Sequence, residues 1–94
     1  MTVYAILQAD ITDPERYESY KPLAAASVAE HGGNYLVRGG NVVALEGSPP
    51  RARTVILEFD SMDAAQRWYE SASYSDARPI RQAASDGWLY LVEA

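Results

Sequence analysis

The segment HGGNYLVRGGNVVALEG, residues 31–47, decides the fold, because it contains a helix end, a stretch of strand and most of the unusual residues of the chain. It begins with His31, Gly32 and Gly33, and glycines in this position supply the left-handed backbone conformation in which helices commonly end. Strand-forming side chains follow the glycines. The segment therefore predicts a junction between a helix and a long, bulged edge strand of a sheet.

The strand-forming part of this segment is interrupted once, by a second pair of glycines. Residues 35–37 and 42–45 have the composition of strands. The interruption is compatible with a hairpin turn at 40–41, or with one long strand that carries a glycine bulge at 39–40. We favour the bulge, because residues 47–52 already have the composition of a turn, and another turn just before it leaves two very short strands.

The rest of the chain alternates between strand and helix patterns. A strand at 3–9 is followed by a helix that starts at Thr12 or Asp13 with Pro14 in its first turn. After the opening segment, a strand at 54–59 precedes a helix that is capped by Asp60 or Ser61 and has an apolar stripe from Met62 to Ala72. A turn or short helix at 74–84 and a strand at 88–92 complete the order. Pro22 lies inside the first helical pattern and predicts a kink or a split there. Right-handed crossovers of this order give an α+β fold, a ferredoxin-like βαββαβ sandwich. We therefore predict a four-stranded antiparallel sheet with helices on one face and the first and third strands in its centre.

The two faces of the predicted sheet differ in chemistry, but neither has the polar composition of a solvent-exposed face. Alternate residues along each strand lie on the same face, and one of the two resulting sets is wholly apolar and fits a face covered by helices: Val3, Ala5, Leu7, Val55, Leu57, Phe59, Leu89 and Leu91. The other set is rich in aromatic residues: Tyr4, Ile6, Gln8, Ile56, Glu58, Trp88, Tyr90 and Val92. Since large exposed apolar patches mark interfaces, we predict a homodimer in which two such open faces pack together. The alternative is a monomer whose sheet is merely amphipathic.

Length, charge and composition restrict the class of protein. The 94 residues fit a single domain, and the absence of cysteine excludes disulfides and thiolate metal sites. With a formal charge of -5, the chain lacks the excess of basic residues that binding to nucleic acids or anionic lipids requires. The run MTVYAILQAD has no basic n-region and meets an acid at Asp10, so it predicts neither a signal peptide nor a membrane span. We therefore expect a cytoplasmic protein with no nucleic-acid or membrane partner.

Several separate segments carry a resemblance to a known family. They are HGGNYLVRGG at 31–40, LEG at 45–47, LEFDS at 57–61 and WYESASY at 68–74, with Arg81 beyond them. In this order they resemble the domain-of-unknown-function 1330 family, over nearly the whole chain. The resemblance implies the dimeric α+β barrel superfamily, with a ferredoxin-like subunit and a face-to-face dimer. Relatives in that superfamily include cofactor-free monooxygenases, but a shared fold does not carry function.

Three polar residues are candidates for catalysis: His31, Glu58 and Arg38. His31 is the only histidine, and it can be a general acid or base near neutral pH or can cap the helix end. Glu58 lies in a predicted central strand, where an ionised carboxylate needs a partner. With a bulge at 39–40, Arg38 has the register to reach Glu58 or Asp60, and an ion pair is our first expectation. Otherwise Glu58 is an acid that faces the substrate, and Arg38 holds developing negative charge.

The sequence also predicts residues that bind a ligand in a cleft between helices and sheet. The aromatic candidates are Tyr17, Tyr20, Trp68, Tyr69 and Tyr74. Such stripes can equally be core. Arg78 and Arg81 flank Pro79, and both can receive a carboxylate or an enolate from a ligand, with Arg81 as the binding candidate. The alternative is that these arginines are solvated or anchor a loop. A metal site is disfavoured by one histidine and no cysteine, and the paired glycines match no phosphate or dinucleotide motif.

These observations support one leading interpretation and one alternative. The leading interpretation is a small homodimeric protein that binds a small organic molecule in the cleft and acts on it, if at all, without a bound cofactor. The alternative is a non-catalytic dimeric module that stabilises or regulates a partner. An enclosed cavity favours the first interpretation, whereas a cleft filled by side chains favours the second.

Overall fold

Seven elements of secondary structure form the chain in a computed structural model that describes residues 1–94. They are β1 Val3–Ile11, α1 Pro14–Glu30, β2 Asn34–Arg38, β3 Arg53–Phe59, α2 Met62–Glu70, α3 Ala72–Ala84 and β4 Ser85–Glu93. The strands form one sheet in the order β2-β3-β1-β4, and every neighbouring pair is antiparallel. The predicted ferredoxin-like α+β sandwich is confirmed, with β1 and β3 in the centre of the sheet.

Helix α1 starts with the capping signal that its sequence predicts. The side chain of Asp13 accepts a hydrogen bond from the backbone N–H of Arg16 at 3.1 Å, and Pro14 lies in the first turn. The helix continues through Pro22 as one element, so the predicted split is wrong. Pro22 is exposed, and water can therefore reach the carbonyl that lacks its usual N–H partner.

The double glycine ends α1 in a Schellman motif. Gly32 has a φ of +73°, and its N–H donates to the carbonyl of Ala29 at 3.3 Å. The N–H of Gly33 donates to the carbonyl of Val28 at 3.0 Å, which completes the motif. His31 takes the C-cap position, directly before the left-handed glycine. The helix end is therefore where the sequence predicts it.

The second helical region changes direction at Ser71, which divides it into α2 and α3. Ser71 ends α2, and its side chain accepts a hydrogen bond from the backbone N–H of Tyr74 at 3.2 Å, so the same residue caps α3. The predicted stripe holds for Ala65 and Trp68, which are buried, but fails at Ala72, which is exposed. The predicted turn or short helix is a 13-residue helix. No helix of the chain combines the length and the apolar character needed to cross a bilayer.

The long bulged strand predicted from residues 35–45 is wrong, and so is the alternative hairpin. Strand β2 ends at Arg38, and its bulge lies at Leu36, where the pairing with β3 shifts by one residue. Gly39 has a φ of +77° and turns the chain away after its N–H donates to the carbonyl of Thr54 at 2.9 Å. Because β3 starts only at Arg53, residues 42–45 have no strand beside them to pair with.

The sheet buries one face and leaves the other open, as its side-chain alternation predicts. On β1 and β3 the apolar parity is buried beneath the helices: Val3, Ala5, Leu7, Val55, Leu57 and Phe59. On the opposite face, Trp88 is 48% exposed, Tyr90 is 45% exposed and Val92 is 42% exposed. No part of the same chain covers this face fully, and its aromatic side chains form a large apolar surface.

Gly87 provides a test of the close approach between β4 and β1. A Cβ at this position would collide with the backbone carbonyl oxygen of Gln8. Because backbone atoms cannot swing aside as a long side chain can, we expect Gly87→Ala to lower the free energy of unfolding by about 1–3 kcal/mol. Urea unfolding at one fixed protein concentration, followed by tryptophan fluorescence, measures the change.

Gly40→Ala is the matched control for this substitution. Nothing lies within 4 Å of a Cβ placed at Gly40, and its φ is not left-handed. We expect its free energy of unfolding to stay within about 0.5 kcal/mol of the wild-type value. Similar effects of the two substitutions would contradict the close packing of β4 on β1.

Candidate functional site

A cleft lies between the helices and the covered face of the sheet, and all seven elements contribute to it. Of its 15 lining residues 12 are hydrophobic, so an apolar molecule is what it can best accept. The lining residues are Ala5, Leu7, Tyr17, Tyr20, Lys21, Ala24, Val28, Tyr35, Arg38, Arg53, Val55, Leu57, Trp68, Tyr74 and Leu89. The cavity within the cleft has a volume of only about 30 Å³. The cleft of the single chain is therefore narrow.

Helical aromatic residues form one cluster in and beside the cleft. The ring centroids of Trp68 and Tyr74 lie 4.4 Å apart, and those of Tyr17 and Tyr20 lie 5.2 Å apart. Tyr20 and Tyr74 join the two pairs at 6.3 Å, and Tyr69 extends the cluster at 5.7 Å from Tyr74. Contacts of this kind add about 0.5–1.5 kcal/mol per pair beyond the burial of area. The structure thus brings together all five predicted aromatic residues, although Tyr69 lies outside the cleft lining.

Polar groups of this cluster are paired inside the core. The hydroxyls of Tyr20 and Tyr74 share a hydrogen bond of 2.9 Å, and the indole N–H of Trp68 donates to the hydroxyl of Ser27 at 3.1 Å. Burial raises the pKa of both tyrosines, and the nearby Arg81 opposes this shift in each case. Both hydroxyls are therefore neutral at physiological pH and can orient a ligand by donating or accepting hydrogen bonds.

Two arginines form the polar edge of the cleft. The guanidinium of Arg38 lies 4.2 Å from the ring centroid of Tyr35, and that of Arg53 lies 5.5 Å from the ring centroid of Tyr17. Sequence reasoning missed Arg53 and Tyr35. A signal for Arg53 was present, because it shares its strand parity with Val55 and therefore faces the helices.

The predicted ion pair between Arg38 and Glu58 is wrong. Neither side chain forms an ion pair in the chain. In the register of the sheet, Arg38 lies opposite Val55, and its side chain lines the cleft. Glu58 lies opposite Tyr4, and its side chain is on the open face of the sheet. The extra residue at Leu36 reverses the parity of the following residues, and it thereby places Arg38 on the helix side.

The other predicted polar residues lie outside the cleft lining. His31 occupies the C-cap of α1. Arg81 is only 8% exposed and borders a separate pocket between α3 and β4, where Tyr69 also lies. Arg78 packs on the ring of Tyr69, with 4.8 Å between its guanidinium carbon and the ring centroid. The structure therefore does not bring His31, Glu58 and Arg38 together, and no three His, Asp or Glu side chains cluster in a way that could hold a metal ion.

A family assignment agrees with this fold and with the resemblance seen in the sequence. The sequence model described as "Domain of unknown function (DUF1330)" matches residues 2–94. The chain belongs to the DUF1330 family. No curated protein shows a significant sequence match to it.

Solved structures similar to this DUF1330 protein share its fold. A protein of unknown function from Rhodopseudomonas palustris superposes with a TM-score of 0.81 at 19% identity, covering 99% of this chain and 82% of its own. SnoaB, a cofactor-independent oxygenase from Streptomyces nogalater, reaches 0.68 at 18% identity, with coverage of 99% and 92%. A protein of unknown function from Bacteroides thetaiotaomicron, described as a possible oxidoreductase, reaches 0.65 at 13% identity, with coverage of 99% and 97%. At these identities the likeness establishes the α+β barrel subunit fold alone.

The buried tyrosine pair of this DUF1330 protein predicts a loss of stability at alkaline pH. Tyrosine in an unfolded chain ionises near pH 10, whereas burial raises the pKa of Tyr20 and Tyr74 in the folded chain. Above pH 10 the unfolded state therefore binds fewer protons than the folded state. We expect the free energy of unfolding to fall there by up to about 1.4 kcal/mol per pH unit for each such tyrosine.

Tyr20→Phe removes one of the two buried groups and tests this assignment. We expect the decline above pH 10 to become shallower by roughly 1 kcal/mol per pH unit. Urea unfolding of both proteins at a series of pH values from about 8 to about 11 measures the slopes. Slopes rather than absolute values are compared, because the substitution also removes the hydrogen bond to Tyr74. Identical slopes would contradict a buried, protonated Tyr20.

Proposed function

We propose that this DUF1330 protein is a homodimer that binds a small, largely apolar organic molecule in the cleft between helices and sheet. The observation that supports this most directly is the composition of the cleft. Aromatic walls meet a short polar edge at Arg38 and Arg53, with no carboxylate among the lining residues. Small-molecule sites typically combine an apolar lining with a few polar groups that fix the orientation of the ligand.

Binding requires the cleft to widen, because drug-sized molecules occupy sites of about 300–1,000 Å³. The side chains best placed to move are at the edge strand β2. Arg38 is exposed and Tyr35 is only partly buried, so their displacement costs little packing. The deeper walls, Tyr17, Tyr20 and Trp68, are held by the aromatic cluster and can keep their positions.

The proposed dimer uses the open face of the sheet. This face carries Trp88, Tyr90 and Val92 from β4 beside Ile6 and Tyr4 from the neighbouring strand. A patch of this composition is stabilised when it is removed from water, and packing it against the same face of a second copy forms a closed, symmetric assembly. The solved α+β barrel neighbours have the same subunit architecture, which agrees with this arrangement.

A catalytic version of the proposal needs no bound cofactor. SnoaB, which has the same subunit fold, is described as a cofactor-independent oxygenase. In the present chain the cleft offers the hydroxyls of Tyr20 and Tyr74 to orient a ligand and guanidinium groups to stabilise negative charge that develops on it. His31 and Glu58, proposed as proton carriers, lie outside the lining of a single chain. We therefore propose ligand binding as the main role of the cleft and catalysis as a secondary one.

The alternative is a non-catalytic dimeric module, and one observation favours it. The cleft of the single chain admits water-sized spheres only in a small volume, as expected of a core filled by its own side chains. For either role we propose a cytoplasmic location, since the chain contains no cysteine and hence no sign of an oxidising compartment.

The open-face dimer predicts that a charge at Tyr90 separates the subunits. Tyr90→Glu places an unpaired carboxylate in the proposed interface, and we expect it to weaken dimerisation by about 3 kcal/mol or more. Native mass spectrometry across a dilution series measures the dimer fraction. Ala29→Glu adds the same charge at an exposed position of α1 and should leave the dimer intact. A monomeric wild type, or an unaffected Tyr90→Glu dimer, would exclude this interface.

The ligand-binding role is tested on protein purified without added ligand. We expect native mass spectrometry of the dimer to detect a bound small molecule, and we expect Ala24→Leu to abolish it, because Ala24 is buried and lines the cleft. Ala29→Leu changes an exposed position of the same helix and should retain the molecule. Circular dichroism checks that both variants keep the fold. An empty wild-type dimer that also binds no added aromatic compound would support the structural module instead.

A further inference from the structure

Arg38 and Arg53 are the two arginines of the cleft lining, and like Arg16, Arg78 and Arg81 they have no anionic partner in the chain. Arg51 pairs with Asp10 at 2.8 Å, and Arg67 forms an ion pair with Asp63. Arg38 and Arg53 form no ion pair, although both lie at the edge of the same cleft. The chain has a net charge of -5, so acidic side chains are abundant, yet none lines this cleft.

Arg53 has a buried hydrogen-bond donor that no group of the chain accepts from. Its Nε atom is buried and has no acceptor in the chain. A buried donor without a partner is unfavourable, and such groups in folded proteins are uncommon. The guanidinium packs against Gly39, where a Cβ would collide with it. Gly39, which has no side chain, therefore leaves room for the Arg53 guanidinium.

Tyr35 connects the two arginines. The Arg38 guanidinium stacks on the Tyr35 ring, and burial raises the pKa of the Tyr35 hydroxyl while Arg38 and Arg53 both act to lower it. Both cations therefore lie within electrostatic reach of the same phenol. Lys21, the third cation of the lining, is already paired with Glu18 at 2.9 Å. The two free guanidinium groups thus concentrate positive charge at one edge of an apolar cleft.

We infer that the cleft recognises a planar organic anion, a carboxylate or an enolate on an unsaturated or aromatic body. This inference rests on the proposed ligand-binding function and specifies its ligand class. Arg53 and Arg38 bind the anionic group from the edge, and the apolar body packs against the walls formed by Tyr17, Tyr20 and Trp68. A guanidinium matches the two oxygens of a carboxylate in a planar fork, and it is weakly hydrated enough to act beside aromatic rings.

The test compares two probes that differ in charge but share one ring system, 2-naphthoate and 2-naphthalenemethanol. Isothermal titration calorimetry with the wild-type protein should give an affinity at least about tenfold higher for 2-naphthoate. Arg53→Gln and Arg38→Gln should each remove about a factor of ten from the 2-naphthoate affinity and change the affinity for the alcohol by less than about twofold. Arg67→Gln removes the same charge outside the cleft and should change neither affinity.

The outcomes separate this inference from the proposed function. The inference would be overturned by equal affinities for the two probes, or by an affinity for 2-naphthoate that neither Arg38→Gln nor Arg53→Gln changes. The ligand-binding function would stand in both cases. Binding of neither probe to the wild type would count against both. Arg38 is exposed, so Arg38→Gln does not threaten the fold. If Arg53→Gln unfolds, Arg53→Lys retains the charge without the planar fork, and a lower affinity for 2-naphthoate but not for the alcohol is then expected.

Discussion

One-sided coverage of the sheet is the constraint on which the rest of the structure depends. Three helices pack on one face of four strands, so the alternating side chains of β1 and β3 fall into a buried set and an open set. Small residues such as Ala5 and Ala9 on the covered face leave room for the large helical aromatics, and the cleft forms where these two layers meet. The same constraint leaves Trp88 and Tyr90 on the opposite face, and it is the physical basis of the proposed dimer.

The bulge at Leu36 connects the fold to the candidate site. It inserts one residue into the edge strand, so Tyr35 and Arg38 both face the helices even though three positions separate them. Without the extra residue, Arg38 would face the open side with Glu58, as the regular alternation suggests. Bulges are common at sheet edges and next to functional sites, where they redirect a side chain. Here the redirected side chain is one of the two cations at the cleft edge.

The residues that line the cleft suggest a chemical hypothesis that the family assignment does not supply. Similarity to other α+β barrels, among them a cofactor-independent oxygenase, establishes the architecture and leaves the chemistry to the residues of this chain. Those residues are neutral tyrosine hydroxyls, aromatic walls and guanidinium groups without carboxylate partners. Such a combination suits an unsaturated anion. It also suits a molecule whose negative charge increases during a reaction, because the cations would then stabilise the charge that develops.

The sequence by itself determined the order of the elements, the two faces of the sheet, the starts of α1 and α2 to within one residue, and the end of α1. These features depend on periodicity and on near neighbours along the chain. The structure then selected Asp13 over Thr12 and Ser61 over Asp60 as the caps. It also indicated the aromatic cluster. Only the tertiary structure decided that β2 bulges at Leu36 and stops at Arg38, and that Arg53 joins the cleft. The physical reason is that a strand extends only as far as its partner does, and here even the nearest paired residues, Arg38 and Val55, are 17 positions apart along the chain.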